Sequence, residues 1–209
     1  MAMTNRDIMA AARSQLKGKW GTAILIVLVY LLIFVGLGLI RIAGIVAHLI
    51  LTGAFVFGLC SSFLGMVKGK EVTVGNLFDG FSCFGNSCAA YLLILLFTLL
   101  WTLLLIVPGV IAALSYAMTF FILSENRELT GLEAIRRSKK MMMGNKGKLF
   151  CLECRFIGWG LLCIVTLGIG LLWIGPYYMT SMAKFYDDIR QPAEMQPVAA
   201  PTIGPQMAQ

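Results

Sequence analysis

The first feature of the chain is a succession of long apolar runs. Residues 21–40 and 89–107 contain no charged side chain, and each run has the roughly 20 residues that a helix needs to cross a hydrocarbon core of about 30 Å. The runs do not alternate between polar and apolar positions, as the strands of a membrane barrel do. The pattern therefore predicts an all-α polytopic membrane protein.

Breaks between the apolar runs predict six transmembrane helices in three hairpins. Within the pairs the breaks are short and rich in glycine or proline, which interrupt helices and allow tight reversals. One continuous helix over 89–124 would measure about 54 Å, too long for one bilayer. The predicted spans are approximately residues 20–40, 42–67, 87–107, 109–124, 148–167 and 169–187.

A short amphipathic helix is predicted before the third hairpin. Thr130 and Glu133 form a T-x-x-E pair, in which each side chain can satisfy the other's backbone N–H at a helix start, and Gly144 can end the helix. Such a helix next to a span is expected on the membrane surface, or packed with its apolar stripe against the span ends. The predicted stripe consists of Leu132, Ile135, Met142 and Met143.

Similar caps occur before the other two hairpins, at Thr4 with Asp7 and at Thr73 with Asn76. We expect surface helices here as well, ended by glycine. The ending glycines are Gly18 and Gly85, and the stripes are Ile8, Met9, Ala12 and Leu16, then Val74, Leu77, Phe78 and Phe81. One membrane domain, residues 1–190, then contains three pseudo-repeats, about 4–68, 73–125 and 130–188, unless the short motifs match by chance. Residues 191–209 are proline-rich without aromatics, which predicts a disordered cytoplasmic tail.

Composition supports a membrane environment over a soluble one. The 209 residues are 59% hydrophobic and 13% charged, whereas soluble domains have about 45–50% apolar and about 25% charged residues. A soluble fold of this length could not bury so much apolar surface, but a bilayer can accept it.

Positive charge predicts the orientation. Of the 17 Lys and Arg residues, all but Arg41 and Arg155 lie in segments that six crossings place on one side of the membrane. An excess of Lys and Arg marks the cytoplasmic side, so both termini are expected there, and the net charge of +7 gives no reason to expect nucleic acid as a partner. The densest block can contact anionic lipid headgroups. Its candidate headgroup contacts are Arg136, Arg137, Lys139 and Lys140.

Three sequence blocks resemble a bacterial integral membrane family known only as domain of unknown function 975. They are "PGVIAALSYAMTFFILSEN", "GLEAIRRSKKMMMGNKGKLF" and "FIGWGLLCIVTLGIGLLWIGPYY" followed by "AKFYDDI". The resemblance covers roughly residues 4–190 and implies a six-span protein of the cytoplasmic membrane. It implies no established activity and no catalytic residues. Where the family tends to a small polar residue before "FIGW", this chain has Arg155, with Glu153 close by.

The cysteines and the one histidine do not indicate a catalytic or metal site. Cys151 and Cys154 form a C-x-x-C, but no second pair accompanies it and zinc usually takes four close ligands. His48 is predicted near the opposite face, as a hydrogen-bonding packing residue. No nucleophile motif, phosphate-binding glycine loop or carboxylate pair is recognisable. We expect no enzyme activity and no cofactor.

Four polar residues within the predicted spans are the remaining candidates for function. Glu153 and Arg155 lie two positions apart and so face away from each other on a helix; Arg155 can reach the interface. Tyr116 and Tyr177 are the best polar groups near the midplane. Two function classes stay open: a non-catalytic envelope protein that binds anionic lipid, a membrane-protein partner or a second copy of itself, and a small-molecule or lipid transporter with a site between the hairpins. Any ligand is expected to be an amphiphile near the cytoplasmic leaflet.

Overall fold

The computed structural model describes residues 3–38, 42–165, 168 and 170–194. Every regular element in these residues is a helix, so the all-α prediction is confirmed. Arg41, the side chain of His48 and residues 195–209 of the predicted tail lie outside what is described, whereas 191–194 continue the last helix. The elements are α1 (Asn5–Leu16), α2 (Trp20–Gly38), α3 (Ile42–Val67), a 3-10 helix (Val74–Cys83), α4 (Phe84–Leu104), α5 (Ile106–Tyr116), α6 (Thr119–Glu125), α7 (Gly131–Met141), α8 (Lys146–Val165) and α9 (Leu171–Glu194).

Two helical stretches of the described chain are long and apolar enough to cross a membrane, Val74–Leu104 and Ile106–Glu125. A third results if Asn5–Leu16 and Trp20–Gly36, which are bent by 98° relative to each other, form one broken span. Length and composition thus support two or three spans, and the predicted six in three hairpins are not supported. Helices α8 and α9 are less apolar than these stretches, because each contains several charged residues.

The hairpin between α4 and α5 turns earlier than predicted. The break lies at Leu105, whose backbone is extended (φ −162°, ψ 143°), and not at Pro108. Pro108 occupies the first turn of α5, where a helix does not need the N–H that proline lacks. The predicted span 109–124 is also divided, because Ala117 and Met118 separate α5 from α6.

Helix α3 lies at the centre of the packing, in contact with α2, α4, α6, α9 and the 3-10 helix. The 3-10 helix approaches α3 at backbone distance. A β-carbon added to Gly58 would lie 1.9 Å from the carbonyl oxygen of Leu77, and one added to Gly80 would lie 1.9 Å from that of Ala54. Glycine at both positions is what permits this contact.

The segment after Thr73 differs from the predicted amphipathic α-helix. The cap is present, since the Thr73 N–H donates to Asn76 Oδ1 at 2.9 Å, but the helix that follows has three residues per turn. Of the predicted stripe only Leu77 is buried; Phe78 and Phe81 are exposed. Gly85 does not end the element, because it lies inside α4.

The first helix agrees with its prediction. Thr4 and Asp7 form the reciprocal cap, and the Thr4 hydroxyl and N–H lower the pKa of the Asp7 carboxyl. Gly18 follows in the left-handed conformation that favours glycine (φ 79°). The four predicted stripe residues are all buried, namely Ile8, Met9, Ala12 and Leu16.

Candidate functional site: a charged face at the helix ends

The basic block forms the exposed side of α7. The four candidate headgroup contacts are all exposed, and only one is shown in an ion pair, in which Arg137 Nη2 donates to Glu133 Oε1 at 3.2 Å. The Thr130 hydroxyl accepts from the Glu133 N–H at 3.3 Å, so Thr130 caps the helix. The exposed cations are Arg136, Arg137, Lys139 and Lys140.

The buried side of α7 differs in part from the predicted stripe. Ile135 and Met142 are buried as expected, but Leu132 is 40% and Met143 64% exposed. Small residues take their place, because they allow α7 to approach its neighbours closely. The buried positions Gly131, Ala134, Ile135, Ser138 and Met142 follow the spacing i, i+3, i+4, i+7 and i+11 of one helix face.

Two contacts show that α7 packs onto the apolar helices. A β-carbon at Gly131 would lie 2.7 Å from the backbone nitrogen of Ala90 in α4. The buried Ser138 hydroxyl donates to the Ser115 carbonyl at 2.8 Å and accepts from the Met118 N–H at 3.2 Å. Ser138 thus satisfies two backbone groups where α5 and α6 are interrupted. The alternative that this helix packs on the span ends agrees with these contacts.

Glu153 and Arg155, both within the described part of α8, form neither a hydrogen bond nor an ion pair with each other. Glu153 Oε1 accepts from the Tyr178 hydroxyl at 2.7 Å, which ties α8 to α9. The exposed Arg155 reaches across to α1, where Nη1 lies 3.6 Å from Met9 Sδ. The predicted divergence of these two side chains is therefore observed.

The two tyrosines lie in different packing clusters. Tyr116 is buried with Ala112 and Ile135, and its ring centroid is 6.3 Å from that of Phe97. The Tyr177 hydroxyl donates to the Met9 carbonyl at 3.3 Å. Each tyrosine connects neighbouring helices, and the contacts of these two described residues are with different partners.

The C-x-x-C pair is exposed on α8, and both thiols are free. Within the described residues no three His, Cys, Asp or Glu side chains come close enough to hold a metal ion.

A charged junction that the motifs did not indicate joins the ends of three helices. Lys68, just beyond α3, and Arg190 of α9 both donate to Glu125 Oε1 at the end of α6. The Tyr186 hydroxyl donates to Glu125 Oε2 at 2.6 Å. Glu125 is largely buried among these donors, with its side chain 13% exposed. We call these four side chains the Glu125 junction.

A second carboxylate, Asp188 near the end of α9, connects the starts of α1 and α8. Asp188 Oδ1 accepts from the Met3 N–H at 3.0 Å, and Asp188 Oδ2 accepts from Lys148 Nζ at 2.7 Å. The Asn5 amide donates to the Lys148 carbonyl at 2.9 Å. The N-terminal segment, the start of α8 and the end of α9 therefore meet at Asp188.

A polar cleft of about 630 Å³ opens beside the Glu125 junction. Its walls come from the end of α3, the following loop, the 3-10 helix, the α6–α7 connection and α9. Most of the lining side chains are charged, hydroxyl or amide groups. They include Ser61, Ser62, Lys68, Lys70, Glu71, Asn76, Asp79, Ser124, Glu125, Asn126, Arg127 and Arg190.

The sequence indicated this face only through the Lys and Arg residues that six crossings place on one side of the membrane. No spacing rule connects Lys68, Glu125 and Arg190, because the fold brings them together across more than a hundred residues. The arrangement can hold helix ends together and can offer charge to a polar ligand. Among the described residues, we recognise no nucleophile paired with a base.

Comparisons with known proteins agree with the resemblance noted in the sequence. No curated protein and no solved structure matches the chain. One family, described as "Protein of unknown function (DUF975)", matches in two overlapping segments, residues 1–119 and 102–193. Together the two segments cover nearly the whole chain, and the protein belongs to this family.

Proposed function

We propose that this protein is a non-catalytic integral protein of the bacterial cytoplasmic membrane that retains anionic lipid at its basic cytoplasmic face. Its hairpins enter the bilayer from the side on which both termini lie. Arg136, Arg137, Lys139 and Lys140 supply the positive charge that meets lipid phosphates.

The observation that carries this proposal is the exposed apolar tip of the α4–α5 hairpin. Leu103 is 82% exposed and Ile106 is 75% exposed, and a water-soluble monomer rarely presents such a continuous apolar patch. Lipid chains are the natural cover for the exposed sides of α4 and α5, since neither helix contains a charged residue. The turn at Leu105 then reaches the outer boundary of the bilayer. Leu99, Leu100, Leu104, Leu105 and Val107 are exposed there as well.

The position of α7 relative to this hairpin supports a role at the headgroups. Gly131 contacts α4 at Ala90, about 9 Å along the helix from its start and about 21 Å from its end. If α4 crosses a core of about 30 Å, this contact lies in the cytoplasmic third of the core, from which long basic side chains can extend to the boundary. The exposed cations of α7 are then within reach of lipid phosphates.

The two carboxylate junctions support three hairpins that start and end on one face. Lys68, Glu125 and Arg190 follow or end the second arms of the three hairpins and meet at one point. Met3 and Lys148 lie at the entry to the first and third hairpins and meet at Asp188. Six crossings of the membrane would bring the ends of all three hairpins to one face. Six spans are therefore part of the proposal.

Native mass spectrometry of the purified protein tests lipid retention. Replacing Arg136, Arg137, Lys139 and Lys140 together by glutamine removes four charges, each contributing about 1 kcal/mol near an anionic surface. We expect this variant to keep fewer phosphatidylglycerol molecules than the unchanged protein, with the same helix content by circular dichroism.

The matched control is Arg136→Lys with Arg137→Lys, which alters the two arginine positions and keeps the positive charge at all four positions. This control is expected to retain lipid as the unchanged protein does. Equal retention of phosphatidylglycerol by the glutamine variant and the control would contradict the proposed lipid-binding face.

A further inference from the structure

The cations that line the polar cleft differ in how many of their donors are already bound to other side chains. Lys68 and Arg190 are committed to Glu125. Arg127 donates from Nη1 to Ser82 at 3.1 Å and from Nη2 to Asp79 at 3.5 Å. Lys70 is exposed, and its ammonium group forms no ion pair with any residue that the structure describes. A guanidinium has five N–H donors in all, so Arg127 can bind further acceptors.

A rigid turn places Lys70 at the cleft. Gly69 has a positive φ of 76°, and the Lys70 N–H donates to the Gly65 carbonyl at 2.9 Å. This six-residue closure after a helix, with glycine in the left-handed position, is the Schellman motif. The backbone of Lys70 is thus fixed while its side chain lines the cleft.

The cleft as a whole has a surplus of positive charge and many neutral hydrogen-bonding groups. Four cations face three carboxylates, and two of the three carboxylates already have cationic partners. The remaining polar wall consists of three serines and two asparagines, Ser61, Ser62, Ser124, Asn76 and Asn126. Cations together with hydroxyl and amide groups are the partners that an oxyanion on a hydroxylated molecule needs.

We propose that this cleft binds a small hydroxylated phosphate ester, with Lys70 and Arg127 holding the phosphate and the serine and asparagine side chains contacting the hydroxyl groups. Its volume of about 630 Å³ lies within the range of about 300–1,000 Å³ that is typical of ligand pockets. The ester can come from solution or from the headgroup of a glycerophospholipid. The site is separate from the basic face of α7, whose four cations do not line the cleft.

Binding of sn-glycerol 3-phosphate to the full chain in lipid-free detergent micelles tests the soluble source. Isothermal titration calorimetry is expected to detect binding of the ester but not of glycerol. Lys70→Glu inverts the charge at the cleft and is expected to weaken binding about tenfold or more, which corresponds to about 1.4 kcal/mol. Lys17→Glu changes the net charge equally at the exposed position that follows α1, outside the cleft, and is expected to bind as the unchanged protein does.

Phosphatidylglycerol and phosphatidylcholine nanodiscs test the lipid source. If the ester belongs to a headgroup, Lys70→Glu reduces retention of phosphatidylglycerol and Lys17→Glu does not. Weakening by Lys70→Glu alone in either arm supports the site and identifies the source. Equal effects of the two variants in both arms, or no binding in either, would overturn it, and this outcome is independent of the result for the α7 glutamine variant.

Discussion

At the scale of single residues, Glu125 is the common acceptor of the Glu125 junction. One carboxylate accepts from Lys68, Arg190 and Tyr186, so three helix ends depend on one side chain. Removing its charge leaves Lys68 and Arg190 as neighbouring cations without the anion between them. Partial burial makes this costly, since water screens the two charges incompletely.

We expect Glu125→Gln to lower the free energy of unfolding by about 2 kcal/mol, because it removes charge-assisted hydrogen bonds that are only partly exposed. Tyr186→Phe removes the hydrogen bond to Glu125 Oε2 and should cost about 1 kcal/mol. Thermal unfolding of the purified protein in detergent measures both changes.

The matched control is Glu133→Gln on α7, the same chemical change in an exposed pair with Arg137 whose side chains are each about half exposed. Exposed pairs of this kind contribute about 0.3–0.5 kcal/mol. A loss at Glu125 no larger than at Glu133 would show that the Glu125 junction does not hold the helix ends.

At the scale of elements, the 3-10 helix sorts its side chains into three columns, because three residues per turn place i and i+3 in line. Phe78, Phe81 and Phe84 form an exposed column, with neighbouring ring centroids 6.2 Å and 6.1 Å apart. Leu77 and Gly80 form the column that is buried on α3. The element depends on a close fit to α3 more than on helix propensity, since long 3-10 runs are uncommon in isolation.

Gly80→Ala is expected to lower the free energy of unfolding by about 1–3 kcal/mol or more, since the added methyl group overlaps the Ala54 carbonyl and must push α3 and the 3-10 helix apart. Gly85→Ala is the control, because a methyl group there meets no atom within 4 Å. Helix propensity favours alanine at such a position by up to about 1 kcal/mol. Unfolding transitions that shift equally for the two variants would contradict the backbone contact.

How well the sequence predicts the structure also differs from one element to the next. The reciprocal cap at Thr4 and the stripe of α1 follow from local rules, and the structure has them. At Thr130 the structure has the hydroxyl half of the predicted cap, whereas the Glu133 carboxylate pairs with Arg137. The 3-10 helix is predicted as an α-helix because Leu77, Phe78 and Phe81 share one face at 3.6 residues per turn, whereas three residues per turn place Leu77 in a different column from the two phenylalanines. On α7 the hydrophobic pattern predicts Leu132 and Met143 as buried residues, but close contact with α4 requires small residues. Hydropathy does not show this, because it does not distinguish a close-packed glycine from an exposed one.

At the scale of the whole molecule, the charged face is the feature that no local pattern could supply. Glu125 and Asp188 each draw together segments that are far apart in sequence, so their partners are determined by the fold. The α4–α5 hairpin, in contrast, ends in exposed leucine, isoleucine and valine side chains. Charged helix ends and an apolar hairpin tip are the two surfaces that a protein inserted from one side of a bilayer requires.

Cysteine labelling from outside the cell tests the central claim, that the hairpins enter the membrane from a cytoplasmic charged face. With the six native cysteines replaced by alanine, single variants Leu105→Cys at the hairpin tip and Lys140→Cys on α7 are treated with a membrane-impermeant maleimide in intact bacterial cells. Leu105→Cys is expected to be labelled in intact cells, and Lys140→Cys only after permeabilisation. Labelling of Lys140→Cys in intact cells would contradict the account.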